Sequence, residues 1–396
     1  TLTPEFELDD DGCYTRLAIR QSAHPDWPTL RRHRLGIGLY DDVEGRLVRR
    51  TYLETDIEGE LTEVAEAVGD RQPALLLLND GDLAYAKIRL DDRSLITAVD
   101  GLSKLDDSLP RALIWGAAWD MTRDAEMSAT DYVALVLGNI GSETDSWGVS
   151  RIPTCAAQAV TLFSAPDNRD ALSTTWEHGL RKLLENAEPG GDHQLTFARS
   201  YAGAASSAQA VADLQGLLDG SLGFDGLDVD TDLRWAVLTA LARLGRADDA
   251  RIDLELASDN TISGKQYAAA ARASQPTAEA KARAWEQAMV DPETPNETHR
   301  SVVLAFQRSG QDHVLAPYVD TYLDAVGSTW ERLGTHKGSI ALEHIFPRVL
   351  ASPGLLDKVD TWLETAEVNA GALRYVKEGR ADVARALAAQ AKDAAG

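Results

Sequence analysis

The sequence predicts a mainly α protein with an N-terminal all-β domain, an antiparallel β-sandwich followed by a HEAT-like helical superhelix. Three observations carry that prediction. Over the first ninety residues apolar side chains alternate with a period of two, the pattern of half-buried strands. Near residue 91 the period becomes helical and stays so to the end. The 396 residues also exceed what one core usually serves, ~250–300 residues, so two domains are expected, residues 1–91 and residues 92–396.

Within the β region, residues 13–20 set Leu17 and Ile19 apart by small or polar residues. Leu35, Ile37 and Leu39 alternate with Gly36 and Gly38, and Ala86, Ile88 and Leu90 alternate with Lys87 and Arg89. Turn chemistry separates these runs at Asp10-Asp11-Gly12, residues 41–45, Glu58-Gly59 and Asn79-Asp80-Gly81. About seven short strands at that spacing make a compact sandwich.

The helical elements follow from caps and stripes. Ser108 is placed to cap a helix with Pro110 in its first turn, and Leu109, Leu113, Ala117 and Met121 then share a face. Ser128 with Asp131 forms a capping box in which Asp replaces the usual Glu or Gln. Leu233, Val237, Leu241 and Leu244 make a stripe that stops at Gly245. Ser352-Pro353 opens a helix bearing Leu355, Val359, Trp362 and Leu363 on one side, and Leu373, Val376, Val383, Ala384 and Leu387 form the last stripe. Roughly fourteen helices, in successive hairpins of about 30–45 residues, describe degenerate stacked repeats rather than a regular array. Residues 189–192 and 220–230 read as loops.

Composition limits the partners. Acidic residues number 63 against 39 basic ones, a net charge of −24. A surface this acidic repels phosphate, so neither nucleic acid nor an anionic membrane is an expected partner. No apolar run approaches the ~18 residues of a membrane span, and the opening residues lack the basic and apolar regions of a signal peptide. Cys13 and Cys155 are expected as free thiols, which places the chain in the cytoplasm.

The sequence carries no recognisable catalytic constellation. The eight histidines are His24, His33, His178, His193, His299, His313, His336 and His344, no two closer than eight residues. H-E-x-x-H is therefore absent, and Glu177-His178 and Glu343-His344 each lack a second histidine one turn away. Asp228-Val-Asp-Thr-Asp232 begins like a calcium loop but continues with Leu233 where glycine belongs and Thr239 where a bidentate Glu belongs, so it reads as an acidic helix cap. Nucleophile-elbow, P-loop and dinucleotide-binding patterns are missing. No catalytic, cofactor-binding or metal-binding residue is expected in this chain.

Several segments carry a resemblance. Residues 75–90, reading LLLLNDGDLAYAKIRL, resemble the last strand pair of the β-sandwich in aminopeptidase N-like zinc peptidases of actinobacterial type. Residues 107–124, DSLPRALIWGAAWDMTRD, look like the start of their helical C-terminal domain. Leu233-Arg-Trp235 with residues 241–245, and residues 276–281 with Ala284-Trp285, look like its middle; residues 374–390 look like its final helices, with Tyr375 standing where a basic residue is expected. In that family the catalytic domain lies upstream. It carries H-E-x-x-H with a distal Glu for zinc, an oxyanion-stabilising tyrosine and a G-A-M-E-N segment that grips the substrate's amino group. Neither sequence motif occurs here.

The resemblance implies a non-catalytic C-terminal region, not an enzyme on its own. In the parent metallopeptidase the zinc would sit in the missing catalytic domain, and the helices would form a bowl that covers the active site and encloses a peptide-admitting cavity. The upstream catalytic domain of the same polypeptide and peptide substrates are the implied partners. Arg123 and Arg234 are the candidate substrate contacts, meeting a peptide's carboxyl end; Trp115 and Trp119, one turn apart, read as core. The alternative is a stand-alone α-solenoid protein-interaction module.

Overall fold

The computed structural model describes residues 1–396, the Trp147 side chain excepted. The chain divides into two compact units, Thr1–Ala159 and Val160–Ala395.

The first unit opens with β1 (Leu2–Leu8), β2 (Tyr14–Gln21), β3 (His33–Val43), β4 (Arg46–Ile57), β5 (Leu61–Glu63) and β6 (Leu75–Leu78). They form two antiparallel three-stranded sheets, ordered β1-β2-β5 and β4-β3-β6. The alternation read from the sequence places Leu35, Ile37 and Leu39 in the core, and all four leucines of β6 are buried against the neighbouring elements. The β3–β4 hairpin turns at Glu44 and Gly45, both at positive φ (53° and 80°), as a tight two-residue hairpin requires.

One expected strand is absent. Residues 86–90 make only a single parallel bridge, Leu2 to Ile88. Arg89, expected on the solvent side, is 6% exposed, held by Asp124 at 2.7 Å and Glu126 at 2.5 Å. Burying a paired arginine beside Ile88 and Leu90 removes the two-faced character that a strand pattern assumes.

Four helices complete this unit: α1 (Asp92–Gly101), α2 (Ser108–Arg123), α3 (Ala129–Asn139) and α4 (Ser146–Gln158). α1 is stitched to β6, since Leu76 N donates to Ser94 Oγ at 2.8 Å and Thr97 Oγ1 donates to Ala74 O at 2.7 Å. The secondary structure thus changes at residue 92, while packing groups α1–α4 with the strands. Ser128 caps α3 as read, accepting from Asp131 N at 2.9 Å. The cap of α2 is Asp107 rather than Ser108, accepting from Leu109 N at 3.0 Å. Of the expected stripe, Ala117 and Met121 are buried, but Leu109 is exposed and Leu113 half-buried, and the buried face widens to include Arg111, Ile114, Trp115 and Ala118.

The second unit is helical throughout. It comprises α5 (Pro166–Asn186), α6 (Asp192–Ala204), α7 (Ala208–Asp219), α8 (Thr231–Arg243), α9 (Asp249–Ser258), α10 (Ile262–Ser274), α11 (Ala278–Trp285), α12 (Asn296–Phe306), α13 (Asp312–Leu315), α14 (Tyr318–Ile345), α15 (Pro353–Thr365) and α16 (Ala370–Ala395). The described residues therefore contain sixteen α-helices and an N-terminal pair of small sheets. α6, α8, α10, α12 and α14 pack one on the next, and α7, α9 and α11 pack against members of that row. This is the stacked-hairpin arrangement of a helical repeat. Short polar caps set the starts of α7–α11 and α15: Asp230 accepts from Leu233 N at 2.8 Å, and Ser352 accepts from Leu355 N at 3.2 Å. Gly334, at φ 69° and ψ −179°, breaks α14 into two segments. The final helix returns to the unit's start, where Ala165 N donates to Asp393 Oδ2 at 2.8 Å and Gln390 Nε2 donates to Leu162 O at 2.8 Å. No helix among the described residues is long and apolar enough to cross a membrane.

Candidate functional site

The parallel row of helices in the second unit brings the C-termini of α6, α8, α10, α12 and α14 to one end. Each terminus leaves carbonyls without an intrahelical partner and carries the negative end of the helix dipole. One donor bridges each neighbouring pair. Arg243 Nη2 donates to Ala205 O at 2.5 Å and Gly203 O at 3.3 Å, joining α8 to α6. Gln311 Nε2 donates to Arg243 O at 2.9 Å and Ser274 O at 2.8 Å, joining α8 to α10. Lys281 Nζ donates to Ala273 O at 2.8 Å and Phe306 O at 2.6 Å, joining α10 to α12. Gln307 Nε2 donates to His344 O and Phe346 O, both at 2.7 Å, joining α12 to α14.

Arg308 stands among these donors with far less to hold. Its Nε donates to Ser274 Oγ at 3.4 Å. Burial pushes its guanidinium down to about 10, and the charge of Arg243 adds to that push. Burial likewise lowers Arg243, with Glu177 opposing, and brings Lys281 down to about 7, with Arg308 contributing. Lys281 is fully buried, its Nζ lying 5.5 Å from the Phe306 ring centroid. Among the described residues no carboxylate forms an ion pair with Arg243, Lys281 or Arg308. Glu177 is already spent on α7, accepting from Ser206 N at 2.6 Å, Ser207 N at 2.9 Å and both serine hydroxyls. Arg308 thus lies between Arg243 and Lys281, repelled by both, with one long hydrogen bond to a serine hydroxyl and no ion pair among the described residues.

The arginines read from the sequence fall elsewhere. Arg234, on α8, closes its fork on Glu255, with Nε to Oε1 at 2.6 Å and Nη2 to Oε2 at 2.9 Å, and Nη1 donates to Leu218 O at 3.1 Å. Arg123 ends α2, half-buried, with no ion pair among the described residues. It sits near enough to Cys155 to oppose the rise that burial imposes on that thiol. Arg243, Lys281 and Arg308 were invisible to sequence reasoning. Arg243 ends α8 and Arg308 lies just beyond α12, where a basic residue is ordinary dipole complementation, whereas Lys281 sits in the first half of α11; only the stacking of helices assembles them.

A surface depression of about 390 Å³ lies at the turns after α8 and α10, lined by Gly245, Asp248, Pro276 and Arg283 among others. Its carboxylates are committed: Asp248 caps α9 through Arg251 N at 2.9 Å, and Asp249 pairs with Arg283 at 3.2 Å. Trp115 is core, 6% exposed, its indole N–H donating to Glu143 Oε2 at 2.8 Å. The chain's residues do not fit a zinc centre: no group of three or more His, Cys, Asp or Glu side chains converges among the described residues. His299, the fully buried histidine, has Nε2 2.9 Å from Ala288 O, a packing contact. Asp230 and its neighbours act as the helix cap anticipated for the acidic run. Cys13 is half-buried and Cys155 buried, both free.

Comparison with known proteins bears on the same points. Over its whole length the chain is 43% identical to Aminopeptidase N of Streptomyces lividans across 401 residues, but spans only 47% of that protein. Residues 75–385 match the family described as the ERAP1-like C-terminal domain. That span runs from β6 to α16 and includes every cation of the row. The chain therefore belongs to the ERAP1-like C-terminal domain family and corresponds to the C-terminal part of an aminopeptidase N.

Proposed function

We propose that this chain is the non-catalytic, substrate-enclosing region of a zinc aminopeptidase that removes N-terminal residues from peptides in the cytoplasm. The observation that carries this reading is the match of the entire chain to about half of an aminopeptidase N, joined to a residue inventory that offers no metal-ligand set. A zinc peptidase needs three protein ligands around an activated water, so zinc and hydrolysis belong to the preceding part of the polypeptide. The helical region would cover that active site and form the cavity that admits peptides.

Within it, Arg308 and Arg243 are the residues best suited to receive a peptide's carboxyl end. A carboxylate entering between them would relieve their mutual repulsion and use N–H groups that no acid of the chain occupies. Arg123, also without an acid partner, is a further candidate; Arg234 would have to exchange Glu255 for a substrate. Remote binding energy of this kind orients a peptide whose scissile bond lies elsewhere.

The test has two arms. The purified chain alone should hold no stoichiometric zinc and release no chromophore from an aminoacyl anilide, and should do both once joined to its upstream polypeptide; metal and activity in the chain alone would end the reading. In the joined protein, Arg308→Ala should raise KM for peptides long enough to reach the site roughly ten- to a hundredfold, the worth of a charged hydrogen bond, and leave dipeptides unchanged. Equal effects on both lengths would remove Arg308 from substrate binding.

A further inference from the structure

Residues 79–85 form a loop whose shape is fixed far beyond what a seven-residue connection demands. Asn79, Gly81 and Asp82 take φ values of 58°, 92° and 54°, three left-handed residues among four, two of them bearing side chains. Such conformations persist only where surrounding structure over-determines them, and they cluster at working surfaces. Here the over-determination is explicit. Asn79 Nδ2 donates to Ala84 O at 2.8 Å, Ala84 N donates to Asn79 Oδ1 at 2.9 Å, and Asp80 N donates to Gly36 O at 3.0 Å. The Asp80 carboxylate, 1% exposed, accepts from Tyr40 OH and Arg49 Nη1, both at 3.0 Å. β3 is cut away beneath it: a Cβ on Gly36 would stand 2.1 Å from Asp80 O, and one on Gly38 2.2 Å from Asp80 Oδ2.

All this apparatus holds out two apolar side chains. Leu83 is 52% exposed and Tyr85 104% exposed, the highest value among the large hydrophobic residues. Neither has any role in the core that the loop spans. The chain's entering end lies alongside: Leu2 N donates to Lys87 O at 2.8 Å, and Arg89 N donates to Leu2 O at 2.9 Å. Polypeptide preceding Thr1 in a longer protein would therefore emerge beside Tyr85, and the Streptomyces relative is about twice this chain's length.

We infer that the Leu83–Tyr85 tip is a preformed docking element for the folded domain that precedes this chain in a longer polypeptide. The partner surface it fits is an apolar pocket with a hydrogen-bond acceptor at its end for the Tyr85 hydroxyl. A rigid tip loses little conformational freedom when it docks, which is the use of the strained loop. The inference rests on the reading above that such a domain exists.

Hydroxyl-radical footprinting of Tyr85 in the chain alone and in the joined polypeptide tests it. Joining should slow oxidation of Tyr85 by about tenfold or more, because a docked aromatic is sealed from water. Unchanged labelling in a joined polypeptide that does cleave aminoacyl substrates overturns the docking role while sparing the functional reading. An upstream polypeptide without a metallopeptidase overturns both. Protection that instead grows with the concentration of the chain alone assigns the tip to a second copy of this chain, and overturns the inference as stated.

Discussion

Replacing Glu143 with alanine should be among the most damaging single changes in the first unit. Its carboxylate is 3% exposed and accepts five hydrogen bonds: from Arg111 Nε at 3.2 Å and Nη2 at 2.9 Å, from Trp115 Nε1 at 2.8 Å, and from the backbone N–H groups of Thr144 at 2.8 Å and Asp145 at 3.3 Å. The substitution leaves Arg111, itself 5% exposed, as a buried charge without its counter-ion. Breaking a buried pair in this way costs about 3–5 kcal/mol. Arg111 would still donate to Leu105 O, Asp106 O and Thr144 Oγ1, so the lower end, about 3 kcal/mol, is expected. At about 2–4 °C per kcal/mol for a unit of this size, the melting temperature falls by roughly 6–12 °C. Calorimetry on the purified variant reads that shift. Replacing both partners together, Arg111→Met with Glu143→Leu, should recover much of the loss, because no uncompensated charge remains.

The pair also sets an acid limit. Burial alone would raise the Glu143 carboxyl, but Arg111, Trp115 and the two backbone N–H groups outweigh it and hold the group below its ordinary value. A depressed folded value means that the contribution is complete above the unfolded value of about 4.3 and is lost as pH falls through the folded one. Glu143→Gln should flatten that acid limb. A loss under about 1 kcal/mol for Glu143→Ala, or an acid limb that Glu143→Gln leaves intact, would refute the reasoning.

Three further outcomes follow from the same structure. Lys281, brought down to about 7 by burial from an ordinary 10.5, sheds its proton in the folded state while the unfolded chain keeps it. Stability should therefore rise between these values, by up to about 1.4 kcal/mol per pH unit, and Lys281→Met should abolish that slope in denaturant titrations. Gly38→Ala places a Cβ 2.2 Å from Asp80 Oδ2 and 2.6 Å from Tyr40 Cε2; it should cost about 1–3 kcal/mol and make residues 79–85 sensitive to limited proteolysis. Ser128→Ala removes the α3 cap held at 2.9 Å and should cost about 1 kcal/mol in denaturant unfolding.

The parts of the fold that the sequence disclosed are those set by neighbours along the chain. Ser128, Asp230 and Ser352 cap the helices they were assigned to, because an N-cap is decided within three residues. Leu35, Ile37 and Leu39 are core because the strand period places them there. Where long-range partners decide, local reading fails. Arg111 counts as polar in any hydrophobic pattern, so the stripe of Leu109, Leu113, Ala117 and Met121 finds the buried face of α2 in its second half and misses the Arg111–Ile114–Trp115 side in its first. Arg89 misled the reading of residues 86–90 in the same manner, since Asp124 and Glu126 lie more than thirty residues away. Gly36 and Gly38 alternate with Leu35, Ile37 and Leu39 in the sequence, but the reason for them is Asp80, forty-odd residues on. The cations of the candidate site belong to this second class: no spacing links Arg243, Lys281 and Arg308, which meet only once four helices have stacked.

That end-to-end stitching has a mechanical meaning. A stack of helical pairs tends to melt piecemeal, each pair answering only to its neighbours. Where one side chain spans adjacent pairs, as Gln311, Lys281 and Gln307 do, opening any one pair strips acceptors from the next. Fraying that begins at one side should then run through the whole series instead of stopping at a pair, so that amide protons from α6 to α14 exchange as a single block.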